Sequence, residues 1–177
     1  MIVCAGNSEQ FDFALPIGVG LIDSAINLTR LCLLNPPKFL LFVGTAGSYG
    51  NKKIYDIIES KTACNIENSF FQNKSYTPID NVISAKNQIV SHETLINSSN
   101  YITTDQEISK EYLKRNIQAE NMEFYSVLKV AKEFNIPAGG LFVITNYCDK
   151  FAHEEFMKNQ KTAMKIVENE LKTRGQI

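Results

Sequence analysis

Two uninterrupted apolar runs, each following a segment with helical periodicity, constrain the fold of this chain most strongly. Phe39–Val43 follows a predicted helix over Leu21–Leu34, and Leu141–Thr145 follows another over Met122–Phe134. A proline lies between helix and run in both cases and marks the end of the helix. Short apolar runs without alternation are typical of strands that are buried on both faces of a sheet. The sequence therefore predicts strands covered by helices on either side.

The rest of the chain continues the same alternation. Further strands are predicted at Met1–Ala5, Ile54–Ile66, Asn81–Thr94 and Asn100–Thr103, further helices at Thr104–Arg115 (with Thr104 as its cap) and Ala152–Thr173, and a glycine-rich turn at Gly44–Gly50. Strands alternating with helices predict an α/β fold, here three α/β/α layers around a central mixed sheet. The length of 177 residues fits a single domain over residues 1–177.

Composition narrows the function classes. The net charge is −1, and the chain has no Lys/Arg run, which argues against nucleic acid or an anionic membrane as partner. Four scattered cysteines without a CxxC pair predict no metal site, and the apolar runs are too short to cross a bilayer. No Walker loop or GxGxxG dinucleotide motif is present. We expect a cytoplasmic protein that binds a small molecule.

Polar side chains near predicted strand ends are the candidates for ligand contacts, because ligands of α/β folds collect there. The glycines of Gly44–Gly50 could cradle an anion or simply form a tight turn. Tyr101 could stack on a flat base or pack into the core. Asn146 offers a donor and an acceptor, and Asp149 is either a proton donor or a helix cap. Glu123 lies in the first turn of a predicted helix. There it could either interact favourably with the helix dipole or accept hydrogen bonds from two sugar hydroxyls.

Four segments in a fixed order form a recognisable pattern. They are a Gly-Val-Gly ahead of a small-residue helix in Ile17–Ala25, a strand followed by Gly-Thr-Ala-Gly in Phe42–Gly47, a Met-Glu pair in Asn121–Glu123, and a strand end in Ile144–Asn146. Together they resemble the nucleoside phosphorylase and nucleosidase family, in the branch of hexameric purine nucleoside phosphorylases and methylthioadenosine/adenosylhomocysteine nucleosidases. The resemblance implies cleavage of the N-glycosidic bond of a purine nucleoside by a homo-oligomer, without a cofactor.

The resemblance also implies contacts to sugar and base. Met122 packs against the ribose, Glu123 binds its 2′ and 3′ hydroxyls, and Tyr101 stacks on the base. Asn146 stands where this branch usually has the Asp that protonates purine N7. An amide cannot be a general acid, and Asn at this place resembles the trimeric branch, which prefers 6-oxopurines. Asp149 is the alternative proton donor.

On the side of the attacking group, Gly44 and Thr45 correspond to the family's phosphate contact or to the matching water site. Hexameric phosphorylases place an Arg where this chain has Phe42. The nucleosidases lack that Arg and use an N-terminal Glu to activate water, for which Glu9 is the nearest equivalent. Only Gly6–Pro16 separates the first strand from the Gly-Val-Gly segment, so the resemblance implies a shortened N-terminal part.

Three functions remain open at this point. The first is a purine nucleoside phosphorylase, a transferase of purine salvage with inorganic phosphate as co-substrate. The second is a nucleosidase that uses water on methylthioadenosine-type or related nucleosides. The third is a truncated homologue that binds a nucleoside without cleaving it.

Overall fold

A computed structural model describes residues 1–85 and 93–177 of the chain. Its strands are β1 Ile2–Cys4, β2 Leu15–Pro16, β3 Leu40–Ser48, β4 Ile57–Ser60, β5 Thr62–Cys64, β6 Val82–Ser84, β7 Ile96–Ser98, β8 Ala119–Asn121 and β9 Ala138–Tyr147. Its helices are α1 Gly20–Leu34, α2 Asn68–Phe71, α3 Gln106–Lys114, α4 Phe124–Glu133 and α5 Ala152–Thr173. Much of the predicted strand Asn81–Thr94 falls on residues 86–92, outside the described residues.

Strand β3 is the centre of a mixed sheet. Strand β9 runs parallel to it along its whole length, on one edge. On the other edge, β3 pairs in parallel with β1 at its start and antiparallel with β8 at its end. The sheet continues from β1 to β2, from β8 through β7 and β5 to β6, and from β9 to the antiparallel β4. The prediction of a central mixed sheet is confirmed.

Helices cover both faces of the sheet. Along β9, Phe142 and Ile144 belong to the core cluster that includes residues of α1 and α4, whereas Leu141 and Val143 pack against α5. This alternation follows because successive strand residues point to opposite faces. Helices α1 and α4 also contact each other. The arrangement confirms three layers. In the described part of the chain, no helix is long and apolar enough to cross a membrane.

Two predicted elements are wrong. The glycine-rich turn predicted at Gly44–Gly50 is largely strand, because β3 continues through Ser48. Glycine is required inside the strand, since a Cβ on Gly47 would lie 2.9 Å from Cys148 Sγ. The strand predicted at Asn100–Thr103 is an irregular loop, and the strand before it, β7, ends at Ser98.

Helix boundaries correct two further expectations. Asp105, not Thr104, caps α3, because its side chain accepts hydrogen bonds from the backbone N–H groups of Glu107 and Ile108. Helix α4 begins at Phe124 rather than Met122, since β8 ends at Asn121 and a bend at Met122 and Glu123 joins the two elements. Glu123 therefore occupies the N-cap position of α4 and not its first turn, and its side chain makes no capping bond there. Helix α5 has the predicted bounds, and α1 begins one residue earlier than predicted.

Candidate active site

A cavity of about 290 Å³ opens beyond the carboxyl ends of β3 and β9. Its walls come from six places: the turn after β1, the residue before α1, the end of β3, the loop before α3, the β8–α4 junction, and the end of β9 with the first two turns of α5. The site residues predicted from sequence that line it are Glu9, Thr45, Tyr101, Met122, Glu123 and Asn146. The structure thus brings together residues from separate parts of the chain, as expected for strand ends that meet at one edge.

A β-bulge shapes the β9 side of the cavity. The register between β3 and β9 shifts after Ala46, so Gly47 pairs with Asn146 and Thr145 is the extra residue. A bulge re-aims side chains, and both Thr145 and Asn146 line the cavity. Asn146 Oδ1 accepts a hydrogen bond from the Thr145 hydroxyl at 2.9 Å, and its Nδ2 donates to the Tyr147 carbonyl at 3.1 Å. The amide is therefore held in one orientation.

Glu123 is a buried carboxylate, 4% exposed, in the cavity wall. Its Oε1 accepts from the Gly20 N–H at 2.9 Å, which is the first N–H of α1. Its Oε2 accepts from Asn121 Nδ2 at 3.1 Å and from the Met122 N–H at 3.2 Å. Burial raises the pKa of Glu123 to about 8, against the lowering effect of the Gly20 and Met122 bonds. A carboxylate has about four lone-pair sites, so roughly one remains for a ligand hydroxyl.

Glu9 lies across the cavity on a tight turn after β1. The turn is closed by the bond from the Glu9 N–H to the Gly6 carbonyl at 3.0 Å. Glu9 Oε1 accepts from the Thr45 N–H at 2.9 Å, and burial raises the pKa of this carboxyl. Gly44 supplies room rather than a contact: a Cβ there would lie 3.7 Å from Glu9 Oε2 and 3.3 Å from the Phe42 ring. Gly44 itself does not line the cavity, in contrast to Thr45.

Tyr101 and Met122 differ in how far they are exposed to solvent. Tyr101 is 76% exposed at the cavity wall, so the alternative in which it packs into the core is wrong. Met122 is partly buried beside Glu123. An exposed aromatic ring next to an opening is a surface on which a flat ligand can stack.

Asp149 is not brought to this site. It is absent from the residues that line the cavity, and its Oδ1 accepts from the Phe151 N–H at 2.8 Å, just before α5 begins. This geometry is that of a cap near a helix start, the alternative that the sequence left open. A proton-donating role for Asp149 therefore has no geometric support.

No role was proposed from the sequence for several lining residues, among them Glu120, Asn121, His153 and Phe156. Glu120 and Asn121 belong to β8, a strand of only three residues that was not predicted from the sequence. His153 and Phe156 lie three residues apart in the first turns of α5. Their signal was present in the sequence, because a helix that follows a strand-end residue such as Asn146 turns its first residues toward the same edge.

The charges around the cavity are acidic. Three carboxyl groups line it, those of Glu9, Glu120 and Glu123, whereas no Lys or Arg is among the described lining residues. Two arginines are engaged elsewhere: Arg115 pairs with Glu111, and Arg174 with Glu59 and Glu170. In the ranges 1–85 and 93–177, no group of three His, Cys, Asp or Glu side chains is placed to hold a metal ion.

Fold and cavity together define a class of protein: a three-layer α/β domain with a carboxylate-lined small-molecule site at the strand ends. Comparison with known families makes the assignment specific. Residues 1–173 match the Phosphorylase superfamily, and the chain belongs to that family. A comparison with curated proteins finds no match to this sequence.

Solved structures of nucleosidases share the fold. A 5′-methylthioadenosine nucleosidase of Helicobacter pylori, in an Asp-to-Asn mutant with 5′-methylthioadenosine in its active site, is 18% identical with a TM-score of 0.81, covering 97% of this chain and 95% of that chain. Futalosine hydrolase of Helicobacter pylori is 18% identical with a TM-score of 0.81, covering 97% and 94%. A putative 5′-methylthioadenosine/S-adenosylhomocysteine nucleosidase of Francisella philomiragia is 17% identical with a TM-score of 0.82, covering 99% and 98%.

Proposed function

We propose that this chain is a purine nucleosidase, which hydrolyses the N-glycosidic bond with water as the attacking group. The charge of the cavity carries the proposal. Proteins hold phosphate with Arg or Lys side chains or with free backbone N–H groups. Here three carboxyl groups line the cavity, no described Lys or Arg does, and the Thr45 N–H already donates to Glu9. A phosphate dianion therefore has no Lys or Arg side chain to hold it among the described lining residues, whereas a water molecule needs none.

Glu9 is proposed as the general base. The Thr45 N–H and the Thr45 side chain both bond to the Glu9 carboxyl group and orient it, and Glu9 lines the cavity, where it can accept a proton from water. Burial raises the pKa of Glu9 above its ordinary value, which makes the carboxylate a stronger base. In the proposed step, Glu9 takes one proton from water, the oxygen bonds to the anomeric carbon, and the carbon–nitrogen bond breaks with its electron pair on the base.

Glu123 and Met122 are proposed to hold the sugar. Glu123 keeps an acceptor position beyond its three N–H partners, and a ribose hydroxyl donates to an acceptor of this kind. Met122 supplies apolar contact beside it. Holding the sugar still beside the attacking water lowers the entropic part of the barrier.

Asn146 and Tyr101 are proposed to receive the base. Tyr101 presents its ring at the wall, and Asn146 Nδ2 can donate to N7 of the departing purine. The amide keeps its own proton, so the base leaves as an anion and is protonated by water. An amide at this position favours 6-oxopurines, as in the trimeric branch of the family. The likeness of the fold to hydrolytic nucleosidases supports the choice of water over phosphate.

Incubating the protein with inosine, guanosine, adenosine and 5′-methylthioadenosine, each with and without phosphate, tests the proposal. Release of free base and free sugar at the same rate in both conditions is expected. Turnover that requires phosphate and yields a sugar phosphate would establish a phosphorylase instead. Binding of the nucleoside without turnover would establish the non-catalytic alternative, which the amide of Asn146 makes worth testing.

The proposal includes self-association. Helix α1 leaves Ile22, Ile26 and Leu33 exposed, and Val19 lies between this face and the cavity. Exposed apolar side chains in one helix mark a surface that another protein covers, and a symmetric homodimer is the commonest solution. Light scattering at micromolar concentration should give at least twice the monomer mass, and a monomer would refute it.

A further inference from the structure

The loop of residues 99–105 carries Tyr101 and Ile102 to the cavity, yet little of its own structure holds it there. It joins β7 to α3 and contains no helix or strand. Tyr101 and Ile102 are 76% and 50% exposed, so burial of their side chains contributes little to fixing them. The position of the loop therefore depends on the polar contacts at its two ends.

Asn100 and Thr103 supply the contacts on either side of the two exposed residues, while the Ser99 hydroxyl accepts from the Tyr101 N–H at 3.1 Å within the loop. Before the two exposed residues, Asn100 Oδ1 accepts from the Leu21 N–H at 2.8 Å, at the start of α1. After them, Thr103 is fully buried and donates twice to Glu120: its N–H to Oε1 at 2.8 Å and its hydroxyl to Oε2 at 2.7 Å. Thr103 thus bonds to one carboxylate through both its backbone N–H and its side-chain hydroxyl, and these two bonds fix the orientation of Thr103.

Glu120 is itself immobilised from another side. Its Oε2 also accepts from the Tyr49 hydroxyl at 2.8 Å, and the Tyr49 ring stacks on Tyr112 of α3 with centroids 4.2 Å apart. Burial raises the pKa of Glu120, against the lowering effect of the Thr103 and Tyr49 bonds. A buried carboxyl group costs free energy unless it is well hydrogen-bonded, and Glu120 meets this condition because Thr103 supplies two of its donors and Tyr49 a third. Glu120 therefore ties the loop to the buried Tyr49 side.

We propose that Glu120 is a positioning residue that fixes the 99–105 loop through Thr103 and so presents Tyr101 to the purine base. The proposal rests on the proposed function for its effect on affinity, because it concerns base binding in the same cavity. Glu120 acts through the loop and not on the reacting atoms. Its loss therefore weakens binding of the base more than it slows the chemical step at saturation.

Three variants separate positioning from general stability. Glu120→Ala removes both acceptors of Thr103. Glu120→Gln is a rescue, because its oxygen can accept from the Thr103 N–H and its amide nitrogen can donate to the two hydroxyl oxygens. Glu59→Ala is the matched control: Glu59 is a carboxyl group of similar burial, 8% against 6% exposed, that pairs with Arg174 and does not line the cavity. Thr103→Val, which removes only the hydroxyl, serves as a second probe if Glu120→Ala does not fold.

Hydrogen exchange of the Thr103 amide is the primary measurement. Exchange at this amide should rise by about 10-fold or more in Glu120→Ala, since its acceptor is lost and the loop opens locally. It should rise less in Thr103→Val and stay near wild type in Glu120→Gln and Glu59→Ala. Unchanged exchange in Glu120→Ala, or an equal rise in Glu59→Ala, would overturn the proposal.

Affinity is the second measurement. Calorimetry with adenine and hypoxanthine should give a Kd about 10-fold weaker in Glu120→Ala, within the range that stacking on one aromatic side chain contributes. In turnover, KM should rise while kcat stays within about 3-fold, and Glu120→Gln should restore KM. A fall confined to kcat would overturn the positioning role. If the wild-type chain neither binds base nor cleaves nucleosides, the proposed function fails, whereas the exchange data still decide the role of Glu120.

Discussion

Replacing Asn146 by Asp should accelerate the proposed hydrolysis by supplying a general acid. In the wild type, Asn146 Oδ1 accepts from the Thr145 hydroxyl at 2.9 Å while Nδ2 donates to the Tyr147 carbonyl at 3.1 Å. In Asn146→Asp the second oxygen faces that carbonyl, and two acceptors meet unless the carboxyl group carries a proton. The site is also buried, with Asn146 6% exposed. Hydrogen bonding of the neutral form and burial both raise a carboxyl pKa. The introduced acid should therefore keep its proton near neutral pH.

When a purine is bound, the protonated carboxyl group at this place can turn its one O–H from the Tyr147 carbonyl to the base and give that proton to N7 as the base leaves. General acid catalysis contributes about 10²- to 10⁴-fold. We expect kcat/KM for adenosine or 5′-methylthioadenosine to rise by at least about 100-fold, which equals about 2.7 kcal/mol of transition-state stabilisation. Because the acid must be protonated, activity of the variant should fall at alkaline pH with a new limb that the wild type lacks.

Chromatographic measurement of free base as a function of pH is the assay. Asn159→Asp is the matched control, because Asn159 is equally buried at 6% exposed, donates to the Thr145 carbonyl at 2.8 Å and does not line the cavity. It should lower the melting temperature without raising the rate. A folded Asn146→Asp protein with kcat/KM within about 2-fold of wild type would refute the assignment of the base edge to this residue.

Three further outcomes follow from the described contacts. Above about pH 8, where Glu123 is ionised, Glu123→Gln should lower kcat/KM by about 10- to 150-fold, since one acceptor position of a charged group is worth roughly 1.5–3 kcal/mol; full activity there would refute sugar binding. Because the pKa of Glu123 rises to about 8 in the folded state, unfolding releases its proton, so the free energy of unfolding should fall between pH 5 and about 8. Urea denaturation across that range should show a flatter profile in Glu123→Gln, and equal slopes would contradict the shift. Gly140→Ala should destabilise the fold by about 1–3 kcal/mol in thermal melting, because its Cβ would lie 2.4 Å from the Phe142 ring and 2.8 Å from Phe124; an unchanged melting temperature would contradict this packing.

The sequence predicts the elements whose signal is periodic. Helix α5 has the predicted bounds because its apolar positions recur along 22 residues, and α1 is correct to one residue. The three α/β/α layers could be predicted because the two apolar runs indicate strands that are covered by helices on both faces. The predictions failed where contacts between residues distant in the sequence determine the local structure. A glycine in a turn and a glycine such as Gly47, which makes room for Cys148 inside a strand, look the same in a sequence.

The residues of the site divide in the same way, into those that a sequence motif or a strand end marks and those that neither marks. Glu9, Thr45, Glu123 and Asn146 could be predicted because motifs and strand ends mark them, and the fold brings them to one cavity. Glu120 could not, because its role depends on hydrogen bonds to residues 17 and 71 positions away. Side-chain contacts of this kind leave no periodic trace in the chain.

The bond between Glu123 and the first N–H of α1 has a consequence for how relatives of this chain should be interpreted. One carboxylate serves both as the acceptor at a helix start and as a wall of the cavity. A descendant that had lost all catalysis would still lose stability on replacing it, since an unsatisfied buried N–H costs about 1–3 kcal/mol. Retention of Glu123 in a genome sequence is therefore a poor marker of activity. The described side-chain bonds of Asn146 are to its own chain neighbours, so the residue at position 146 reports the chemistry at the base edge more directly than Glu123 does.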